Sequence, residues 1–187
     1  DYKPFATLGG AGYVRWAHDH GLMSTRNYSG VDFSEGKQID GAEIQPAVAG
    51  RRGCSGCPVK CKAILAFAQG RLKDRRAYRP EFEPMINLGA KCGLTEVQDV
   101  IYLDNLCTRL GMDSTSASTA IAFAMDLAAR GLLSEEKRAD LALDWGNSAS
   151  MEILIRQMAA MRGLGALLGH GVRAAAERLG PETRPYA

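Results

Sequence analysis

The chain has 187 residues, of which 46% are hydrophobic and 24% are charged, and its formal net charge is +2. This composition is that of an ordinary globular protein, so it excludes a disordered, collagenous or low-complexity chain. A charge balance this close to neutral predicts no nucleic-acid partner and no attraction to an anionic membrane. No apolar run is longer than that at residues 63–68, which is far shorter than the ~20 residues of a membrane span.

The first eighty residues predict little regular structure. Residues 12–23 can form one short helix between two turn-rich stretches, and its partly buried positions would be Val14, Trp16 and Ala17. Residues 62–78 predict two short extended segments around a turn at Gln69 and Gly70. This is the one good strand candidate that the pattern offers.

Helical signals dominate after Pro80. Thr95 and Gln98 have the spacing of a capping box, which predicts a helix from Thr95 to about Leu110. Apolar residues recur at a helical period in four further segments, at 114–131, 134–143, 150–161 and 164–179. We therefore predict a mainly α fold, an irregular multi-helix domain with a cysteine-rich loop and at most a short β-hairpin.

The cysteines carry the strongest chemical signal. Cys54, Cys57 and Cys61 fall within eight residues, whereas Cys92 and Cys107 stand alone. This spacing is not that of a disulfide scaffold, and the chain begins without the pattern of a secretory signal, so we expect a reducing, cytoplasmic location. A C-x2-C-x3-C array can wrap one corner of a [4Fe–4S] cluster, with each thiolate holding a different iron.

Other uses of these cysteines stay open at this point. A structural zinc site would need a second ligand pair, and the three histidines are not spaced as one. Three buried structural thiols would also fit the pattern. A four-iron cluster needs a fourth ligand, which can be Cys92, Cys107 or a residue beyond the end of the chain. Four flanking cations would either offset the charge of a cluster or form a solvated rim: Arg51, Arg52, Lys60 and Lys62.

Three segments together carry a resemblance that none of them carries alone: GCSGCPVKCK at 53–62, PEFEPMINLGAKCGL at 80–94 and DNLCTRLGMDSTSASTAIAFAMDLAARGLL at 104–133. In this order and separation they resemble the aldehyde:ferredoxin oxidoreductase family of tungsten–pterin enzymes. The resemblance spans nearly the whole chain and implies two cofactors, a tungsten bis-pterin and a [4Fe–4S] cluster. It also implies that residues 1–187 are the middle, helical part of a larger catalytic subunit, which we expect to be one unit that can divide into lobes at 1–80 and 81–187.

The resemblance assigns the cluster ligands. Cys54, Cys57 and Cys61 match three of them, and the fourth would belong to a C-terminal part of the subunit outside this chain. Cys92 and Cys107 would then be packing residues. The absence of a starting Met agrees with this view of the chain as part of a longer polypeptide.

The family's E-Y-E segment corresponds to residues 81–83, where Phe82 lacks the tyrosine hydroxyl. The second carboxylate of that segment lies near the tungsten, so the resemblance implies that Glu83 is the catalytic proton carrier, whereas the role of Glu81 stays undecided. Burial would raise the pKa of such a carboxyl toward neutral pH. From the residues alone, Glu83 is better explained as an acid at the start of a helix.

The family's pterin-contacting D-x-x-G-L-D segment corresponds to residues 108–113. Gly111 and Asp113 are kept, and Met112 replaces leucine conservatively. The first Asp is Thr108 here, which puts one pterin hydrogen bond in question, although a hydroxyl can also accept one. Asp113 can in addition cap the helix that follows it.

The resemblance implies oxidation of an aldehyde to a carboxylic acid, with electrons passed through the cluster to ferredoxin or an electron-transfer subunit. Further partners would be the remaining domains of the subunit and other copies in an oligomer. The alternatives are reduction of aromatic or acid substrates, a module that carries only a cluster, and a zinc-stapled interaction domain. Some family members bridge two subunits with an iron ion, but its ligands have no recognisable match here, so that metal is not predicted.

Overall fold

The computed structural model describes residues 2–31, 33–139 and 141–187, with the side chains at 35–37 outside that description. Two short helices come first, α1 (Lys3–Leu8) and α2 (Tyr13–Asp19). Helix α2 confirms the short helix predicted at 12–23. Val14 and Ala17 are buried, but Trp16 is 52% exposed and stacks on His20 instead of entering the core.

A small antiparallel sheet follows the short helix α3 (Gly41–Ile44). Its strands, in the order β1–β2–β3, are Val48–Arg52, Lys62–Leu65 and Ala77–Tyr78. Strands β2 and β3 form the predicted hairpin, in which Ile64 is opposite Tyr78. Strand β1 is an addition that the sequence did not predict. It is largely exposed and its register shifts between Val48 and Gly50, so it lacks the regular alternation of a half-buried strand.

Among the described residues, the regular elements named after β3 are all helices, which confirms the mainly α prediction. The helices are α4 (Phe82–Leu88), α5 (Val97–Arg109), α6 (Ser114–Ala129), α7 (Glu135–Arg138), α8 (Ser148–Ala159), α9 (Gly163–Leu168) and α10 (Val172–Leu179). Within the described residues, no helix combines the length and the apolar character required to cross a membrane.

Several helix boundaries differ from the prediction. The helix predicted at 134–143 ends at Arg138, before Ala139 with φ +47°, and the helix predicted at 150–161 runs from Ser148 to Ala159. The N-cap of α5 is Glu96 rather than Thr95, and Gln98 bonds to the hairpin turn instead, accepting from the Leu72 N–H at 2.9 Å. The single helix predicted at 164–179 is broken between α9 and α10, where Gly171 has φ +88°. A left-handed residue cannot continue an α-helix, which explains why the chain turns there.

Helix α6 is the centre of the packing. It buries residues around most of its circumference, including Ile121, Phe123 and Met125, and it contacts α4, α5, α8 and α10. Asp113 caps it by accepting from the Ser116 N–H at 2.7 Å. Because α6 begins where the 108–113 segment ends, the core fixes the position of that segment.

One arginine ties the hairpin to two helices. Arg71, in the hairpin turn, pairs with Asp99 of α5 at 2.6 Å and with Glu152 of α8 at 2.5 Å, and its guanidinium lies 3.9 Å from the centre of the Tyr102 ring. A planar guanidinium can satisfy both carboxylates at once. The sheet is therefore held against the helical core.

Candidate functional site

The three clustered cysteines lie on the loop that joins β1 to β2, closed at its base by the pairing of Arg52 with Lys62. Cys54 is exposed, and Cys57 and Cys61 are half-buried; all three are free thiols. The Cys57 N–H donates to the Cys54 carbonyl at 3.0 Å, and Gly56 takes φ +73° to allow that turn. The donor set is thus three solvent-accessible thiols on one tight loop, which fits the requirements of thiolate ligands to an iron–sulfur cluster.

Among the described residues, no three His, Cys, Asp or Glu side chains lie close enough together to bind one shared metal ion. The fit of the three loop thiols is to a cluster, in which each thiolate binds a different iron. Cys92 and Cys107 are both 0% exposed, and Cys92 donates to the Ser118 carbonyl at 3.4 Å. Burial raises the pKa of each of these two thiols to about 12. Because the thiolate is the form that binds metals, both residues are placed as packing residues.

The two carboxylates of the 81–83 segment have different surroundings. Glu81, at the N-cap of α4, pairs with Lys62, the residue that follows the last loop cysteine. Burial acts to lower the pKa of Lys62, but the hydrogen bond and charge of Glu81 outweigh it, so that this pKa is raised. Glu83 is the second residue of α4 and is exposed. Its backbone carbonyl accepts from the side-chain amide of the buried Asn87 at 2.8 Å.

The 108–113 segment turns between α5 and α6. Gly111 has φ +71°, and the Met112 N–H donates to the Cys107 carbonyl at 2.9 Å, which closes the end of α5. Thr108, Gly111 and Asp113 are all exposed. Hydrogen bonds from Ser116 hold the pKa of Asp113 below its ordinary value, so Asp113 stabilises the fold while ionised and loses this effect as the pH falls through that lowered pKa.

A cavity of about 320 Å³ opens beside Asp113. The other side of this cavity is formed by the break between α9 and α10, and His170 lines it there. His170 was not among the predicted site residues. The glycines on both sides of it, Gly169 and Gly171, were the signal that the predicted helix could break and present this histidine.

The three segments that carry the motifs are held together by an ion pair and by helix packing. Lys62, at the end of the cysteine loop, pairs with Glu81 at the start of α4, and α4 packs against both α5 and α6, the helices that the 108–113 segment joins. Asp104 on α5 is half-buried, and burial raises its pKa, with the charges of Glu81 and Asp113 acting in the same direction and Lys62 against them.

Comparisons with known proteins show which family and which proteins this chain is similar to. The model of a family described as "Aldehyde ferredoxin oxidoreductase, domains 2 & 3" matches residues 1–187. A tungsten-containing aldehyde ferredoxin oxidoreductase of Thermococcus kodakarensis is 27% identical over 179 residues, which are 92% of this chain and 28% of that protein. The aliphatic sulfonate oxidoreductase, WOR-like subunit, of Pyrococcus furiosus is 26% identical over 174 residues, 91% of this chain and 27% of that protein.

The fold also occurs in a solved structure, the active site complex BamBC of benzoyl coenzyme A reductase with 1,5-dienoyl-CoA. The TM-score is 0.71 at 17% sequence identity, over 98% of this chain and 32% of that one. The chain thus spans just over a quarter of the length of the curated relatives it matches.

Proposed function

Because the chain belongs to the aldehyde ferredoxin oxidoreductase family, we propose that it forms the central part of a catalytic subunit that oxidises aldehydes to carboxylic acids. The electron acceptor is ferredoxin or an electron-transfer subunit. The proposal extends from this chain to a whole subunit, since the relatives named as tungsten aldehyde oxidoreductases are more than three times as long.

The observation that carries the proposal is that three segments lie together in the fold. The cysteine loop ends at Lys62, which pairs with Glu81 at the start of α4, and α4 packs against the helices on both sides of the 108–113 segment. An oxidoreductase needs its electron outlet close to its proton carrier and its cofactor anchor, and these segments offer one of each.

The cysteine loop would hold a [4Fe–4S] cluster through Cys54, Cys57 and Cys61. We place the fourth ligand elsewhere in the subunit, because Cys92 and Cys107 are buried and their pKa values are raised to about 12. When bound, the tungsten bis-pterin supplies the two-electron chemistry and the cluster supplies the outlet for the electrons.

The remaining roles belong to residues of this chain. Asp113 accepts a pterin N–H, since its carboxylate is exposed and has lone pairs in addition to the one that accepts from the Ser116 N–H. Thr108 contributes its hydroxyl to that contact. Gly111 contributes its backbone, beside which a Cβ would find no other atom within 4 Å. Glu83 takes up a proton released when the aldehyde hydrate is oxidised, at a carboxylate that makes no ion pair among the described residues.

The test is metal analysis and electron paramagnetic resonance of the full-length subunit. We expect about four iron atoms and about one tungsten atom per subunit, with the signal of a reduced cluster and a pterin in the extract. A subunit with iron but without tungsten and pterin would be a module for electron transfer only. Bound zinc without a visible chromophore would contradict the proposal and identify the cysteine loop as a structural zinc site.

The isolated 187-residue chain is expected to hold no stable four-iron cluster after reconstitution with iron and sulfide. Three accessible thiols leave one iron without a protein ligand, and the other two thiols are buried in the core. Iron and sulfide content after gel filtration measures this. A stoichiometric cluster that disappears on mutation of Cys92 or Cys107 would contradict both the packing role of these residues and the external ligand.

Asp113 can be tested for its two roles separately. Asparagine also caps helices, so Asp113→Asn should leave the urea midpoint nearly unchanged, whereas Asp113→Ala should cost about 1 kcal/mol of unfolding free energy. Both variants lose the charged acceptor, so both should lower the pterin and tungsten occupancy of the full-length subunit more than Thr108→Ala does. Full occupancy in Asp113→Asn would reduce the residue to a helix cap.

A further inference from the structure

A buried arginine lies directly behind the last cysteine of the loop. Arg79 follows strand β3 and is only 6% exposed. One of its terminal nitrogens, Nη2, donates to the carbonyl of Cys61, and the other, Nη1, donates to the carbonyl of Thr7 at 2.7 Å. Its own backbone N–H donates to the Ala63 carbonyl at 3.0 Å, which continues the pairing of the sheet.

The N-terminal segment is shaped to admit this side chain. Thr7 lies in the last turn of α1, and Gly9 ends that helix with φ +63°. A Cβ at Gly9 would lie 2.7 Å from Nη2 of Arg79 and 2.9 Å from the Cys61 carbonyl oxygen. Real Cβ atoms essentially never come so close, so a side chain at position 9 would displace the guanidinium. The glycine, the arginine and the cysteine carbonyl therefore form one contact.

The positive charge of Arg79 is held in a largely buried position. Burial lowers the pKa of Arg79, with the nearby charge of Arg51 acting in the same direction and the charges of Glu81 and Cys61 against it. Arginine nonetheless stays protonated in proteins. A permanent positive charge is thus held out of water within electrostatic reach of a proposed cluster ligand, where screening by solvent and salt is weak.

We propose that Arg79 is a positioning residue for the iron–sulfur cluster, holding the Cys61 end of the ligand loop against α1 and raising the reduction potential by its buried charge. The inference rests on the proposed function, since it takes Cys61 to be a cluster ligand. Residues behind the ligands orient them, and net charge near a cluster sets its potential. Reduction adds a negative charge to the cluster, which a nearby cation stabilises.

The experiment compares Arg79→Gln, Arg79→Lys and the exposed control Arg52→Gln in the full-length subunit. Arg79→Gln should shift the midpoint potential to a more negative value and accelerate iron loss to a chelator about tenfold. Arg79→Lys keeps the charge but cannot reach both carbonyls in the same geometry. Its potential should stay near that of the wild type, while its iron loss is still faster. Arg52→Gln removes a solvated charge from β1 and should change both quantities much less.

The outcomes separate the two proposals. Wild-type potential and iron retention in a folded Arg79→Gln subunit would overturn the positioning role, as would an equal shift in Arg52→Gln. Should Arg79→Gln fail to fold, Arg79→Lys decides, because unchanged iron loss in that variant contradicts the positioning role on its own. A wild-type subunit without an iron–sulfur signal would overturn the proposed function itself, whatever the variants do.

Discussion

A Cys57→Ser variant of the full-length subunit is expected to lose the iron–sulfur cluster. The ligand is a thiolate, and a serine hydroxyl neither ionises near neutral pH nor has the softness that iron–sulfur chemistry requires. Cys57 is the middle of the three loop thiols, and its backbone N–H already closes the turn onto Cys54. Iron and sulfide content, together with the visible spectrum, measure the loss.

The matched control is Cys107→Ala. This thiol is buried and lies outside the loop, so its removal should cost folding stability through a small cavity and leave the iron content intact. Iron content and spectrum unchanged in Cys57→Ser would show that the loop is not the cluster site. Equal iron loss in both variants would show that the iron is lost because the fold is destabilised and not because a ligand is removed.

Replacing Glu83 by glutamine should lower kcat for aldehyde oxidation by about 10²–10⁴-fold, the usual contribution of a general acid–base group. Glutamine keeps the size and the hydrogen-bonding reach but cannot exchange a proton. Glu83 is exposed in the first turn of α4, so the substitution should disturb neither the core nor the metal content. Turnover measured alongside tungsten, iron and pterin content tests this.

Glu81→Gln is the internal control, because it removes the same charge two residues earlier in the chain. Glu81 is already engaged with Lys62, and we expect its loss to weaken that pair and to affect turnover much less. A larger loss in Glu81→Gln than in Glu83→Gln would identify the other carboxylate as the proton carrier. Normal turnover in Glu83→Gln with its cofactors intact would refute the role outright.

The sequence predicted those helices whose signals are local and missed features that depend on distant partners. The predicted segments at 114–131 and 150–161 became α6 and α8, with Asp113 and Asn147 as caps. Thr95 and Gln98 had the spacing of a capping box, yet Gln98 bonds to a turn 26 residues earlier in the chain. A side chain with two possible hydrogen-bond partners cannot be assigned from its spacing alone.

The candidate site shows the same division. The cysteine spacing placed three thiols on one loop, and the structure confirms that they share it. Arg79 belongs to no recognisable motif, and its contact with the Cys61 carbonyl forms only because the pairing of β2 with β3 brings the two residues together. A site residue whose role depends on contacts between distant segments therefore cannot be predicted from a sequence motif.

The pairing of Arg52 with Lys62 at the base of the cysteine loop fixes the separation of the two ends of the loop. The strands therefore meet the entropy cost of closing the loop, and this cost does not fall on the binding of a cofactor by the residues between them. Small zinc domains differ, because their chains fold only when the metal binds. The cysteine loop is restrained at its base by the sheet, so a cofactor held there has to order only the residues between the two strands.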